Sequence, residues 1–276
     1  MALTAAPAPE PLPDALIGLA RAHSGERPFV LGLCGAQGSG KSTVAAVLVR
    51  RLRDSGTPAA TLSLDDLYLT LAERRALAHS VHPLFATRGV PGTHDVALGL
   101  AVLGAFDRGE AFRLPRFDKA RDDRAPESQW EIVPPGLRVL VLEGWCVGAR
   151  PQAPADLLPP INRLEALEDP DGTWRTHANA CLAGPYQHLF ARLDALAMLA
   201  APSFDVVLRW RTEQERALGE GAGMDAPALA RFVQFYERLT RHILDEMPHR
   251  ADLVASLAPE REIVRLRKRE TPSRRA

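Results

Sequence analysis

Several things are scarce in this sequence. Of its 276 residues only Cys34, Cys146 and Cys181 are cysteine. They are widely spaced and form no CxxC pair, so neither a disulfide framework nor a zinc site is expected, and a reducing, cytoplasmic setting fits best. Lysine is equally rare: Lys41, Lys119 and Lys268 stand among 34 basic residues, so nearly every cation is a guanidinium. Net charge is also missing, because 34 acidic residues offset the 34 basic ones. There is therefore no general attraction to nucleic acid or an anionic membrane, and an anion site must be built locally, for a small ligand. No apolar run approaches the ~20 residues that span a bilayer. The Ala/Pro-rich residues 1–13 lack the basic start and apolar core of a secretion signal.

What is present has the balance of a globular chain, with 46% apolar and 25% charged residues, so disorder, collagen and coiled-coil readings fall away. We expect a single domain over residues 1–276, with a flexible lead at 1–13 and a solvated basic tail at 267–276. Short apolar runs at Phe29–Cys34, Ala59–Leu64, Arg138–Leu142, Ala195–Ala200 and Glu262–Leu266 have strand length. The first ends in glycine and is apolar throughout, as a strand buried on both faces of a parallel sheet must be. Helical periodicity fills Lys41–Asp54, Asp95–Phe106 and Asp225–Met247, with a short amphipathic helix around Leu16, Leu19 and Ala20. Pro202–Leu218 reads either as strand or as helix, and its TEQERAL sequence tips it to helix. Ala78–His94 and Leu114–Pro135 are irregular. Alternating β and α elements define an α/β fold.

Gly35–Ser42 reads GAQGSGKS, a full match to GxxxxGK[ST] between an apolar run and an amphipathic helix. Chance would produce it in roughly one such chain in a thousand. Glycines at 35, 38 and 40 let main-chain N–H groups converge on phosphate oxygens. Lys41 reaches the phosphates, and the Ser42 hydroxyl can ligate Mg²⁺ at the positive start of the helix. The nucleotide-binding set is Gly35, Ala36, Gln37, Gly38, Ser39, Gly40, Lys41, Ser42 and Thr43, and the cofactors expected are ATP and Mg²⁺.

Asp65 and Asp66 follow the second run, at the carboxyl edge of the sheet where α/β proteins bind ligands. Glu143 ends the third run at the same edge and is the natural anchor for Mg²⁺ beside Ser42. An ordinary aspartate, with a pKa of ~3.9, cannot strip an alcohol in the ground state, so Asp65 is expected to orient the nucleophile and take its proton late. The irregular stretches concentrate Arg88, His94, Arg116, Lys119, Arg121 and Arg124. They read as an acceptor pocket in which a guanidinium can hold a carboxylate, or else as solvated loops. In RWRTEQER, Arg209, Arg211 and Arg216 are candidates for a closing helix that brings charge to the transferred group, Arg211 first.

In order, GAQGSGKS, SLDDLYLT, RGVPGTHD, PRFDKARDDR, VLEGWCVG, INRLE and RWRTEQE resemble the D-glycerate 3-kinase family of plant and fungal type. Its relatives are uridine kinase, phosphoribulokinase and bacterial pantothenate kinase. The resemblance implies a P-loop kinase fold with a five-stranded parallel sheet in the order 2-3-1-4-5. It also implies ATP-dependent phosphorylation of the 3-hydroxyl of D-glycerate. Carried onto this chain, it implies catalytic roles for Lys41, Asp65 and Arg211, metal binding by Ser42 and Glu143, and acceptor binding by Tyr68, Arg88, His94, Arg116 and Lys119. The stretch from Asp169 to Pro185 carries no pattern of the family.

A nucleotide-hydrolysing switch is the other class to weigh. Guanine-specific switches read the base with NKxD, yet Asn162 and Asn179 are the asparagines here and neither precedes lysine. Among kinases, the rival acceptors are a nucleoside, pantothenate or another sugar acid. Many loop arginines and only 6% aromatics favour a carboxylate-bearing alcohol over a stacked base. The partner expected is that small molecule alone, bound by a monomer or weak homo-oligomer.

Overall fold

The computed structural model of the chain describes residues 12–22, 27–217 and 224–269. At its centre lie β1 (Phe29–Gly35), β2 (Ala59–Ser63), β3 (Val139–Gly144), β4 (Ala195–Ala200), β5 (Leu253–Leu257) and β6 (Ile263–Lys268). The first five strands run parallel in the order 2-3-1-4-5, and β6 adds an antiparallel edge beside β5. Around the sheet pack α1 (Leu12–Ala22), α2 (Lys41–Asp54), α3 (Leu71–Ser80), α4 (Val96–Asp107), α5 (Arg163–Glu168), α6 (Thr173–Ala183), α7 (Pro185–Phe190), α8 (Asp205–Ala217) and α9 (Ala226–Glu246).

Alternation along the strands divides the apolar residues between two cores. Val30, Leu62, Leu140 and Leu142 face one way, onto Val102 and Phe106 of α4, Leu189 of α7 and Ile243 of α9. Leu31, Leu33, Val139 and Val141 face the other, onto Leu16 of α1, Leu48 and Leu52 of α2 and Trp210 of α8. Every residue of β1 is buried, as expected of a central strand covered on both sides. In register, Cys34 lies beside Gly144, Gly35 beside Leu199 and Ser63 beside Glu143, so the carboxyl ends of four strands meet at one edge. The three thiols are free, and burial pushes that of Cys34 up to about 12.

Four expectations need correction. The fifth parallel strand is Leu253–Leu257, while the 262–266 run belongs to the antiparallel β6. Leu12 and Pro13 lie in α1 rather than in a flexible lead, with residues 1–11 outside the described residues. Arg267 and Lys268 pair with Val254 and Leu253 in β6, so the tail does not start at 267; residues 270–276 lie outside the description. Of the irregular stretches, Ala78–Ser80 ends α3, and Leu114–Pro135 holds two small ribbons, Phe112–Leu114 with Glu131–Val133 and Phe117–Asp118 with Asp123–Arg124. The Pro202 segment is helical, as α8; Leu218 lies outside the described residues.

Candidate active site

The phosphate loop joins β1 to α2. Gly38 has φ 78°, and a Cβ there would stand 2.5 Å from Cβ of Trp210, so a side chain would be both strained and obstructed. Ser39 N–H donates to the Ala36 carbonyl (3.1 Å), which turns the chain into α2. The first-turn N–H groups of α2 have no side-chain cap and, as at any helix start, no partners within the helix. Ser42 Oγ donates to Oε1 of Glu143 at 3.0 Å, and the buried Oε2 of that carboxylate has no partner. A hydroxyl beside a carboxylate with an unused lone-pair oxygen is the donor set that a hydrated divalent cation takes next to phosphate. The residues fit both the triphosphate and its metal.

Asp65 and Asp66 lie in a 3₁₀ turn, Leu64–Leu67, that continues β2. The two neighbours turn to different cations. Asp65 accepts from Lys119 Nζ (2.7 Å) and from Tyr68 Oη (2.9 Å). Burial would raise its pKa, but the charges of Lys119 and Lys41, with those two hydrogen bonds, hold it well below the usual carboxylate range. Asp66 accepts from Arg116 (3.1 Å) and from the Phe117 N–H (3.0 Å), and burial raises its pKa. Asp66 therefore docks the ribbon that delivers Lys119.

Main-chain bonds from Leu69 N–H to the Thr93 carbonyl (2.9 Å) and from Asp95 N–H to the Leu67 carbonyl (2.6 Å) zip the two loops together. Tyr68 and His94 consequently stack, with ring centres 4.5 Å apart. Gly92 N–H donates to Tyr186 Oη (3.0 Å), so the Tyr186 hydroxyl proton goes to Nδ1 of His94 (2.6 Å); otherwise that proton would be buried with no acceptor. The His94 proton is thereby placed on Nε2, which is buried and unpartnered. Burial pushes the imidazole down to about 3, against a smaller opposing pull from the Asp65 charge.

Neutral His94 should be visible in the pH dependence of stability. The imidazole titrates near 6.5 in an unfolded chain. With its folded pKa depressed, the contribution of the neutral ring is complete above about 6.5 and is lost as pH falls toward 3. Thermal melts should show Tm falling more steeply between about pH 7 and pH 4 in the wild type than in His94→Gln; equal slopes would contradict a buried neutral ring.

Of the residues singled out from sequence, Ser42 and Glu143 meet directly, and Asp65, Tyr68, His94 and Lys119 form one connected group on which the charge of Lys41 acts. Arg88 joins through Phe117: its guanidinium lies 5.5 Å from that ring, whose edge meets Tyr68, and it pairs with Asp122. Two others are held elsewhere. Arg116 is fixed between Asp66 and Glu131, along a groove shared with Arg50 and Arg53 of α2. Arg211 donates to Gln214 and Glu215 of its own helix and lies over Phe232 of α9.

Sequence reading overlooked three members. Tyr236 of α9 receives a hydrogen bond from Gln37 and donates to the Arg88 carbonyl (3.2 Å), linking the phosphate loop to the acceptor segment. Tyr186 sets the tautomer of His94. Arg261, in the turn between β5 and β6, donates to the Gly38 carbonyl at 2.7 Å. All three are remote in sequence from their partners, and no local motif announces them.

The chain matches no family model. It is 39% identical over 223 residues to the uncharacterized kinase mug58 of Schizosaccharomyces pombe, covering 76% of this chain and 79% of the relative. It is 31% identical over 223 residues to the chloroplastic D-glycerate 3-kinase of Arabidopsis thaliana, covering 76% of this chain but 46% of that longer protein. Its fold superposes on the D-glycerate 3-kinase of Cryptococcus neoformans with a TM-score of 0.77 at 24% identity, over 94% of this chain and all of the other. The phosphate loop, the sheet order and these likenesses define an ATP-using P-loop kinase, a phosphotransferase acting on the alcohol of a small molecule. More particularly, the chain belongs to the D-glycerate 3-kinase family.

Proposed function

We propose that the protein transfers the γ-phosphoryl group of ATP to the 3-hydroxyl of D-glycerate. The observation that carries this reading is Asp65, an ionised carboxylate held by Lys119 at 2.7 Å and Tyr68 at 2.9 Å, on the sheet edge that carries the phosphate loop. The activity for which the plant relative is named, D-glycerate 3-kinase, supports the acceptor.

In this reading Lys41 and the loop amides bind the phosphate tail, and Ser42 and Glu143 would hold Mg²⁺. A cation held there would supply positive charge to offset that of the phosphates. Asp65 orients the 3-hydroxyl and takes its proton as the P–O bond forms. Lys119, whose side chain is 60% exposed, is free to swing from Asp65 to the carboxylate of the acid, and Arg88, which pairs with Asp122 over the Phe117 ring, is the second cation for that carboxylate. His94 offers an uncharged Nε2–H to a substrate oxygen, and Tyr68 keeps Asp65 oriented. Arg211 closes over the transferred group from α8.

The test is acceptor-dependent ADP release from Mg–ATP with D-glycerate, L-glycerate, uridine, pantothenate and ribulose 5-phosphate. D-Glycerate should be preferred. A stronger response to another acceptor would overturn the substrate, and ADP formed equally without acceptor would favour a nucleotide switch.

A further inference from the structure

The turn between β5 and β6 fastens two parts of the nucleotide site. Its Arg261 is one of two non-glycine residues with positive φ among the described residues, at 72°. Such a conformation is unfavourable for a residue with a Cβ and persists only when its surroundings hold it. Here the main-chain bonds of the turn, from Arg261 N–H to the Ala258 carbonyl (2.9 Å) and from Ala258 N–H to the Glu262 carbonyl (2.8 Å), hold it, and three side-chain contacts add to them. Nε donates to the Gly38 carbonyl in the phosphate loop (2.7 Å). One terminal nitrogen pairs with Glu213 of α8 (2.5 Å). The guanidinium also lies 5.2 Å from the centre of the Trp210 ring, on the same helix. The surrounding turn repeats the grip: Trp210 Nε1 donates to the Pro259 carbonyl (2.8 Å), Arg209 donates to that carbonyl too, and Arg209 lies 3.6 Å from Glu260.

We infer that Arg261 is a positioning residue that clasps the phosphate loop to the middle of α8, fixing the Gly38 carbonyl and so the direction of the neighbouring amides. A planar fork is required, because one cation must serve a carbonyl, a carboxylate and an aromatic face together. The residue following Trp210 on α8 is Arg211, so the clasp also sets where the proposed closing arginine starts. The inference rests on the kinase reading only in needing Mg–ATP to bind; it does not depend on which acceptor is used.

The experiment is titration of the full chain with Mg–ATP, without acceptor, alongside thermal melts. Arg261→Ala should weaken ATP by about tenfold, the scale of a lost charge-assisted hydrogen bond. Arg261→Lys should fall between it and the wild type. Arg261→Gly separates the clasp from mere stability: glycine takes a φ of 72° without strain, so this variant should melt above Arg261→Ala yet bind ATP as poorly. Methylguanidinium should restore part of the ATP affinity of either truncated variant. Glu213→Gln, which keeps the Gly38 bond, should cost about threefold or less. Wild-type protein that binds no Mg–ATP would overturn the kinase reading itself. Arg261→Ala or Arg261→Gly protein that binds ATP as the wild type does, or a loss that tracks melting temperature and ignores methylguanidinium, would overturn the clasp.

Discussion

Asp65→Asn is expected to slow phosphoryl transfer by about 10²–10⁴-fold, or about 3–5 kcal/mol, while Mg–ATP affinity stays within about twofold. Asparagine has nearly the shape of aspartate and can still accept from Tyr68, so the loops should remain zipped. What it loses is the negative charge that aligns an alcohol and receives its proton. In a loose transition state alignment carries most of the effect, because proton transfer is late. Lys119 would lose its carboxylate partner, and that gives the prediction a second readout. Because Lys119 and Lys41 hold Asp65 of the free enzyme well below the usual carboxylate range, the wild-type kcat/KM should show no acid limb from this group between about pH 5 and pH 8. Steady-state turnover at saturating substrates and direct ATP titration together check the result. Unchanged turnover would remove Asp65 from the reaction.

Legibility in the sequence followed the distance between the residues involved. The phosphate loop is eight consecutive residues, and its strand and helix neighbours are periodic, so β1, α2 and the loop were readable to within a residue. α4 and α9 were equally plain, each with an aspartate cap accepting from a first-turn N–H. β5 was missed because it is only five residues long and Ser256 interrupts its apolar run, although it is paired on both sides. α3 was missed for a different reason. Its one buried residue is Arg74, so it has no apolar stripe, yet the capping box of Thr70 and Glu73 stands in the sequence and would have marked its start. The turn-rich stretch from Asp169 to Pro185 hides α6 behind a left-handed Gly172.

The site divides in the same way. Asp65 and Glu143 were expected at the sheet edge because strand ends place them there, and that needs only local pattern. The pairing of Asp65 with Lys119 spans 54 residues, that of His94 with Tyr186 spans 92, and that of Gly38 with Arg261 spans 223. Nothing in the spacing of arginines says which faces a substrate. Arg116 and Lys119 are three positions apart on the same ribbon, yet Asp66 takes one and Asp65 the other.

The INRLE segment supplies the second large effect. Glu165→Ala should destabilise the fold by about 3–5 kcal/mol, the cost of leaving a buried cation without its counter-charge. At the size of this chain that is a fall in Tm of roughly 6–20 °C. Glu165 is fully buried and holds Arg238 of α9 in a two-pronged pair at 2.7 and 2.6 Å, while also accepting from the Ile161 N–H. Asn162 caps α5 and donates to the Gln234 carbonyl, so the motif is a docking surface for α9. Activity should fall with stability, because α9 carries Tyr236, which holds the Arg88 carbonyl. Replacing both charges by apolar residues, as in Glu165→Leu with Arg238→Met, should recover only part of the loss. The ion pair would be replaced at small net cost, but the carbonyls of Asp156 and Pro159, which Arg238 also satisfies, would be orphaned. Thermal and denaturant unfolding of the two variants decide the matter, and Glu165→Ala protein as stable as the wild type would show that α9 is held in place by its apolar face alone.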